Sequence, residues 1–323
     1  MDVTAFCRQS HVLVVAGKGG VGKTTITAAL ARMAADAGLS VLVLELEGKP
    51  GVPAAYGLAG SLGYEEAELA EGAKDGDGRV RARRITPDDA LLEYLANHGM
   101  KRVSKRLVSS GALDVVATAI PGIRDILVLG KVKSLEREGA ADLILVDAPA
   151  TGHAMTFLTS AQGLLDAARS GPVRAQAQDV VDLLGDPARC QVALVTLPEE
   201  MPVNEVVEAA YQLEDRVGIS LGPVIANACL PEEPALDVDP DAAASEAGVV
   251  LGASERSALA AAARFRARRR ALQEEQLERL AHELPLPQLR APFLFTPSIG
   301  PDEVATLATS LAGGVAALAT PVP

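Results

Sequence analysis

The stretch Gly17-Lys18-Gly19-Gly20-Val21-Gly22-Lys23-Thr24-Thr25 constrains this chain more than any other. It satisfies the phosphate-loop pattern G-x-x-x-x-G-K-[ST] and carries an additional lysine directly after the first glycine. The apolar run from His11 to Ala16 predicts a buried strand, and Thr24 to Asp36 predicts an Ala-rich helix. Strand, loop and helix in that order are the context in which the pattern has chemical meaning. Glycines let successive backbone N–H groups curl into an anion nest, and the helix N-terminus adds partial positive charge. Lys23 is then the phosphate lysine, and the Thr24 hydroxyl the Mg²⁺ ligand. The plainer reading of the same residues is a glycine turn with solvated lysines. The flanking elements favour nucleoside triphosphate binding.

Composition narrows the partners. The 323 residues accommodate one large α/β domain with an insertion, and 49% hydrophobic residues suffice for a sizeable core. A net charge of −12 opposes an electrostatic grip on nucleic acid or anionic lipid. The three cysteines, Cys7, Cys190 and Cys229, are scattered, with no C-x-x-C pair. Neither a structural zinc nor a disulfide framework is expected, and a reducing cytoplasm suits such a chain. The first residues lack a basic-then-apolar leader pattern, and no apolar run reaches the length of a membrane span.

Short apolar runs alternate with helical stretches, which predicts a mostly parallel, doubly wound sheet. The expected strands are Val12–Ala16, Val41–Leu46, Leu143–Val146, Val192–Thr196 and Val224–Asn227. Gly38 is placed to end the first helix. Residues Gly72 to Arg84 read as an exposed hairpin or loop, and Pro231 to Asp241 as a polar linker. Pro87 to Gly139 reads as helical with internal turns, and Ser254 to Glu283 as one long helix bearing Arg264, Arg266, Arg268, Arg269 and Arg270. That basic cluster is expected to be a solvated face, not a nucleic-acid patch. The tail from Leu311 to Pro323 is small and apolar and makes a poor membrane anchor. The expected organisation is a single ATPase domain over residues 1–323, with a helical subdomain inserted at about 86–140 and about 153–186.

The second nucleotide element is Leu143-Ile144-Leu145-Val146-Asp147, followed by Ala148-Pro149-Ala150-Thr151-Gly152-His153. An apolar strand ending in Asp delivers its carboxylate to the carboxyl end of the sheet, where Asp147 could hold a Mg²⁺-bound water. Taken alone, Asp147 could equally cap the next helix. The turn after it is suited to a switch that orders with the γ-phosphate.

Taken together, the loop with Lys18, the Asp-Ala-Pro-Ala-Thr-Gly-His stretch, Ile120-Pro121-Gly122, Leu197-Pro198-Glu199 and Arg268-Arg269-Arg270 make the chain resemble the ArsA-type ATPases. That family includes the arsenite-pump ATPase and the ATPases that target tail-anchored membrane proteins. The likeness is greatest to actinobacterial anion-transporting ATPase members that occur as paired subunits, and it spans His11 to about Leu318. The resemblance implies a deviant phosphate-loop fold, ATP and Mg²⁺ as ligands, and a homodimer or a heterodimer with a paralogous ATPase. It implies that Lys18 reaches the nucleotide of the facing chain, as an arginine finger does. It implies that Asn227 reads adenine, and that Pro198 and the Pro285–Pro292 segment, including Pro292, wall the base pocket. It implies a protein client or partner on the helical insert, where Met100, Val103, Leu107, Val108, Leu113, Val115, Val116 and Ile120 are apolar. Peripheral association with a membrane would then run through a partner.

Two departures from the family pattern carry consequences. Glu47 stands where the family's water-polarising Asp is found, and the added methylene moves the carboxylate by about 1 Å, enough to slow hydrolysis. The missing C-x-x-C rules out a zinc-stapled dimer, and scattered cysteines do not favour an arsenite site. The resemblance therefore leaves two readings: a nucleotide-gated dimeric ATPase, and a weakly hydrolysing subunit that assembles with a catalytic paralogue.

Overall fold

The computed structural model describes residues 1–46, 51–73, 78–97, 122–167, 169–234 and 238–318, without the side chains of residues 151–153 and 172. Eight strands form one sheet in the order β3-β4-β2-β5-β1-β6-β7-β8. In chain order they are β1 (Val12–Gly17), β2 (Ser40–Leu46), β3 (Ala67–Glu71), β4 (Arg79–Ile85), β5 (Leu143–Ala150), β6 (Cys190–Thr196), β7 (Ser220–Cys229) and β8 (Gln288–Pro292). All neighbours are parallel except β3, which runs antiparallel to β4 at one edge.

The central strands are apolar at most positions because both faces are covered, with Glu45 of β2 and Asp147 of β5 set near their carboxyl ends. Val12, Val14 and Ala16 of β1 enter one core, with Leu42 and Leu44 of β2, Ile144 and Val146 of β5, and Val192 and Leu194 of β6. Leu13 and Val15 enter the opposite core with Val41, Val43, Leu143, Leu145, Ala193 and Val195. The period-2 alternation of side chains thus assigns each strand residue to one of two layers.

On the second face lie α1 (Val3–Cys7), α2 (Lys23–Asp36), α3 (Val52–Ala55) and, at the chain's far end, α11 (Pro301–Ala317). The tail expectation changes here. Leu307, Leu311 and Val315 recur at helical spacing and are buried against the α2 side of the sheet, so this segment is core. On the first face lie α5 (Ile123–Arg137), α6 (Thr151–Ala167), α7 (Pro172–Leu184) and α8 (Glu200–Val217), with α4 (Pro87–Asn97) packed on α5. These helices share one contiguous apolar cluster with the sheet. Two further helices, α9 (Pro240–Glu246) and α10 (Ala253–Glu283), follow β7; α10 is largely exposed over its first half.

The five expected strands are present, each extended by up to four residues at one end or both. Of the two readings for Gly72 to Arg84 the hairpin holds, since β3 and β4 pair antiparallel, but its second arm is mostly buried. The described part contains β4, whose Val80, Ala82 and Ile85 are buried and which pairs with β2 along its whole length. Four arginines in seven residues masked the alternation. The Pro285–Pro292 segment contributes β8, an added parallel strand beside β7. The polar stretch Pro231 to Asp241 leads into α9, where Asp239 caps the helix by accepting from Ala242 N. Gly38 and Gly139 both adopt positive φ at helix ends, as the sequence requires. The apolar series from Met100 to Ile120 lies outside the described residues.

Candidate functional site

β1 ends at Gly17, and the loop from Lys18 to Gly22 turns the chain into α2. Gly20 and Gly22 have φ of +89° and +88°, the left-handed region in which a Cβ is strained. Gly17 packs so tightly that a Cβ there would meet the Val195 carbonyl oxygen at 2.3 Å. The loop is thereby pressed onto the end of β6. Lys23 Nζ donates to the carbonyls of Gly17 and Lys18, both at 3.0 Å, so its ammonium lies across the loop. Thr25 follows in the first turn of α2, and Val21 is buried beneath the loop.

β5 is the strand beside β1, and Val15 pairs in register with Asp147. The Thr24 hydroxyl donates to Asp147 Oδ2 at 2.7 Å. The other oxygen, Oδ1, is buried without a hydrogen bond of good geometry among the described residues, although the Thr27 hydroxyl lies close enough to favour the charged carboxylate. Burial pushes the Asp147 carboxyl above its ordinary range, and the nearby Glu45 charge adds to this. The Thr24 hydrogen bond and the Lys23 cation act in the opposite direction. A buried carboxylate oxygen without a well-placed donor is a costly feature unless a cation or its water completes it. Thr24 hydroxyl, Asp147 carboxylate and an open cleft form the hard-oxygen donor set that suits Mg²⁺.

These residues line a cleft of about 640 Å³ at the carboxyl ends of the strands. Its walls include Lys23, Thr24, Glu45, Asp125, Asp147 and Phe157, and Gly19, Gly20 and Gly22 form its floor. β1 lies between β5 and β6, where the chain winds in opposite senses to either side. Ligands of open α/β sheets bind at that point.

The remaining sequence-predicted residues fall around this cleft. Lys18 pairs with Glu205 on α8 and remains 44% exposed, outside the cleft wall. Asn227, near the end of β7, donates from Nδ2 to the Val21 carbonyl at 2.9 Å and accepts from Ala228 N at Oδ1. Both ends of its amide are therefore engaged with backbone. Ala228 has φ of +59°, the single positive-φ residue other than glycine among the described residues. Pro198 is buried in the turn after β6, and Pro292 ends β8 opposite Cys229. Glu47 lies outside the described residues.

The sequence reading did not single out Glu45, Arg84 or Glu205. Glu45 is 3% exposed, pairs with Arg84 at 3.2 Å and lines the cleft. Its signal was available: it is a charge set inside the apolar run Val41–Leu46.

Residues 10–167, which include the loop and Asp147, match the family model described as anion-transporting ATPase. The chain belongs to the ArsA-type ATPase family. ATPase BagA of Mycobacterium tuberculosis is 37% identical over 232 residues, covering 68% of this chain and 65% of that protein. A putative arsenical pump-driving ATPase of Halobacterium salinarum is 28% identical over 324 residues, covering 94% of this chain and 45% of the relative. The ATPase get3 of Schizosaccharomyces japonicus is 30% identical over 146 residues, 45% of this chain and 42% of its own length. The chain thus spans somewhat less than two thirds of the mycobacterial relative's length. Among the described residues no helix is long and apolar enough to cross a membrane.

Proposed function

We propose that this ArsA-type chain is a Mg²⁺-dependent ATPase that works as a nucleotide-gated dimer, closing a helical partner or client surface when ATP binds. The observation that carries the reading is the Thr24–Asp147 hydrogen bond beside an Asp147 oxygen without a well-formed bond of its own among the described residues, set at the mouth of the glycine loop. The N–H groups of Gly19 to Thr24 receive the phosphates, and Lys23 neutralises them from across the loop. Thr24 and, through water, Asp147 hold the metal. Mg²⁺ supplies charge neutralisation at the transferred phosphoryl group. Lys18, already outside the cleft, serves the nucleotide of a facing chain, which is either a second copy or a paralogue. Asn227, on the base side of the pocket, favours adenine through the second N–H and second lone pair that its bonds to Val21 and Ala228 leave over, with Pro198 and Pro292 as the walls.

A calorimetric titration with Mg²⁺-ATP and Mg²⁺-GTP, with phosphate release measured in parallel, tests this. ATP binding ahead of GTP, with slow release that Asp147→Asn lowers by at least tenfold, is expected. Absence of nucleotide binding would refute the reading. Equal affinity for GTP would remove Asn227 as the base-reading residue.

One sequence observation favours a second reading, a weakly hydrolysing subunit of a heteromer: Glu47 in place of the family's Asp. Under it, Glu47→Asp raises kcat with ATP affinity unchanged. A fast wild-type enzyme, or no gain in the variant, excludes it.

A further inference from the structure

Glu45 is a carboxylate where the fold has little use for one. It sits on β2, one strand from β1, and is buried. Its strand neighbours Leu42 and Leu44 are packed in the apolar core. It pairs in register with Arg84 on β4 to one side and with Asp147 on β5 to the other. A row of Arg84, Glu45 and Asp147 therefore crosses three adjacent strands at the edge of the cleft, and the row continues through Asp147 to Thr24. A buried ion pair of this kind adds little net stability, since desolvation offsets the Coulomb attraction. The placement calls for another explanation.

The two Glu45 oxygens are unequally satisfied. Oε1 accepts from Arg84 Nη2 at 3.2 Å. Among the described residues, Oε2 has only two hydrogen-bond contacts, from the backbone N–H groups of Gly51 and Val52, both at 3.5 Å. That distance lies at the outer limit of a hydrogen bond and beyond the usual 2.7–3.2 Å. Oε2 thus has acceptor capacity to spare, on a side chain that lines the cleft. Gly51 itself abuts Thr24, since a Cβ on it would lie 2.7 Å from Thr24 Cγ2. Glu45 is tied both to the wall that packs on Thr24 and to the strand that carries Asp147.

We propose that Glu45 is a further oxygen donor of the divalent-cation site, accepting through Oε2 from the water shell of the ion that Thr24 and Asp147 hold. The proposal rests on the reading of the cleft as a Mg²⁺-nucleotide site. Arg84 acts as its positioning residue: it compensates the carboxylate's charge from the side away from Asp147 and leaves Oε2 to the cleft. A second carboxylate raises cation affinity without adding a direct ligand, and Mg²⁺ characteristically keeps several waters.

The test measures Mn²⁺, a spectroscopically visible stand-in for Mg²⁺, binding to the full chain saturated with ADP, with free Mn²⁺ counted by electron paramagnetic resonance. Wild type is compared with Glu45→Gln and Glu45→Asp, and ADP affinity is measured separately in EDTA. Glu45→Gln should weaken Mn²⁺ binding about five- to twentyfold and leave metal-free ADP affinity within twofold. Glu45→Asp, which keeps the charge, should recover part of the loss. Mn²⁺ affinity within twofold of wild type in Glu45→Gln would overturn the proposal. If Glu45→Gln is unstable because Arg84 loses its partner, the paired change Glu45→Gln with Arg84→Gln removes both charges and is read in the same way. A wild-type chain that binds no Mn²⁺-ADP would instead overturn the nucleotide-site reading itself, so the two failures are distinct.

Discussion

Gly22→Ala should be disproportionately costly, and the cost should be shared with Asn227. Gly22 has φ of +88°, and a Cβ there would land 2.3 Å from Asn227 Nδ2, the atom that donates to the Val21 carbonyl. Two terms add. An alanine in the left-handed region costs about 1–2 kcal/mol. Pushing the Asn227 amide off Val21 removes a hydrogen bond with a net contribution of about 1 kcal/mol. The variant should lose about 2–3 kcal/mol of unfolding free energy, measured by urea titration. Asn227→Ala alone should cost about 1 kcal/mol by losing the same bond. In the Asn227→Ala background the obstructing amide is gone, and Gly22→Ala should cost only the backbone strain. The double-mutant cycle should therefore show a coupling of about 1 kcal/mol or more, well outside the scatter expected of independent sites. Strict additivity would refute the argument that Asn227 is wedged against this glycine.

Further expectations follow from other contacts. Arg189 holds the Glu136 carboxyl below its ordinary 4.5 through paired hydrogen bonds, and Glu136 is only 7% exposed. A lowered carboxylate contributes stability that is present above its unfolded-state value and is lost as pH falls through the folded one. Glu136→Gln should thus cost about 1–2 kcal/mol at pH 7, and the difference from wild type should shrink below pH 4.5 in acid-unfolding curves; a gap constant with pH would refute it. Glu205→Gln breaks a half-exposed pair with Lys18 and should alter stability by less than about 1 kcal/mol. It should also make ATP-driven association easier in light scattering, because Lys18 no longer has to leave Glu205; unchanged association would separate the pair from assembly. Lys23→Ala should weaken ATP binding in a lone chain, whereas Lys18→Ala should spare it and impair only partner-stimulated turnover. Loss of binding in the Lys18→Ala monomer, without rescue in mixed assemblies, would place that lysine in cis.

The centre of the fold was readable from sequence because both faces of the sheet are covered there. Val12–Ala16 and Leu143–Val146 are uninterrupted apolar runs of strand length, Val41–Leu46 is one broken only by Glu45, and each became a strand. The margins were not readable by the same rule. β4 alternates Val80 and Ala82 with arginines that pair to Glu66, Glu45 and a backbone carbonyl, so its apolar signal is thin. β8 is five residues long with two of them buried, and α11 resembles a featureless small-residue tail until its Leu307–Leu311–Val315 stripe meets the core. At the candidate site, the loop and Asp147 were legible because each directly follows an apolar run in the chain. Glu45 and Glu205 act through neighbours 39 and 187 residues away. Such pairings come from strand order and helix placement, which no local spacing encodes.

The way β5 runs into α6 has a mechanical consequence. Asp147 lies three residues before the end of the strand, and α6 begins at the very next residue, Thr151. Its 17 residues make a rod about 25 Å long, and its buried flank, including Phe157, Leu158, Ala161 and Leu164, is part of the same close-packed mass as the sheet. A rod so embedded cannot swing out like a door without tearing open that mass, since protein interiors resist gradual deformation. It can slide. A shift of an ångström or two at the carboxylate would travel along the rod's axis and emerge, barely diminished, where α7 leans against it. Under the proposed ATPase function, the layer of helices would respond to phosphate chemistry as a piston does, by axial travel in a fixed bore.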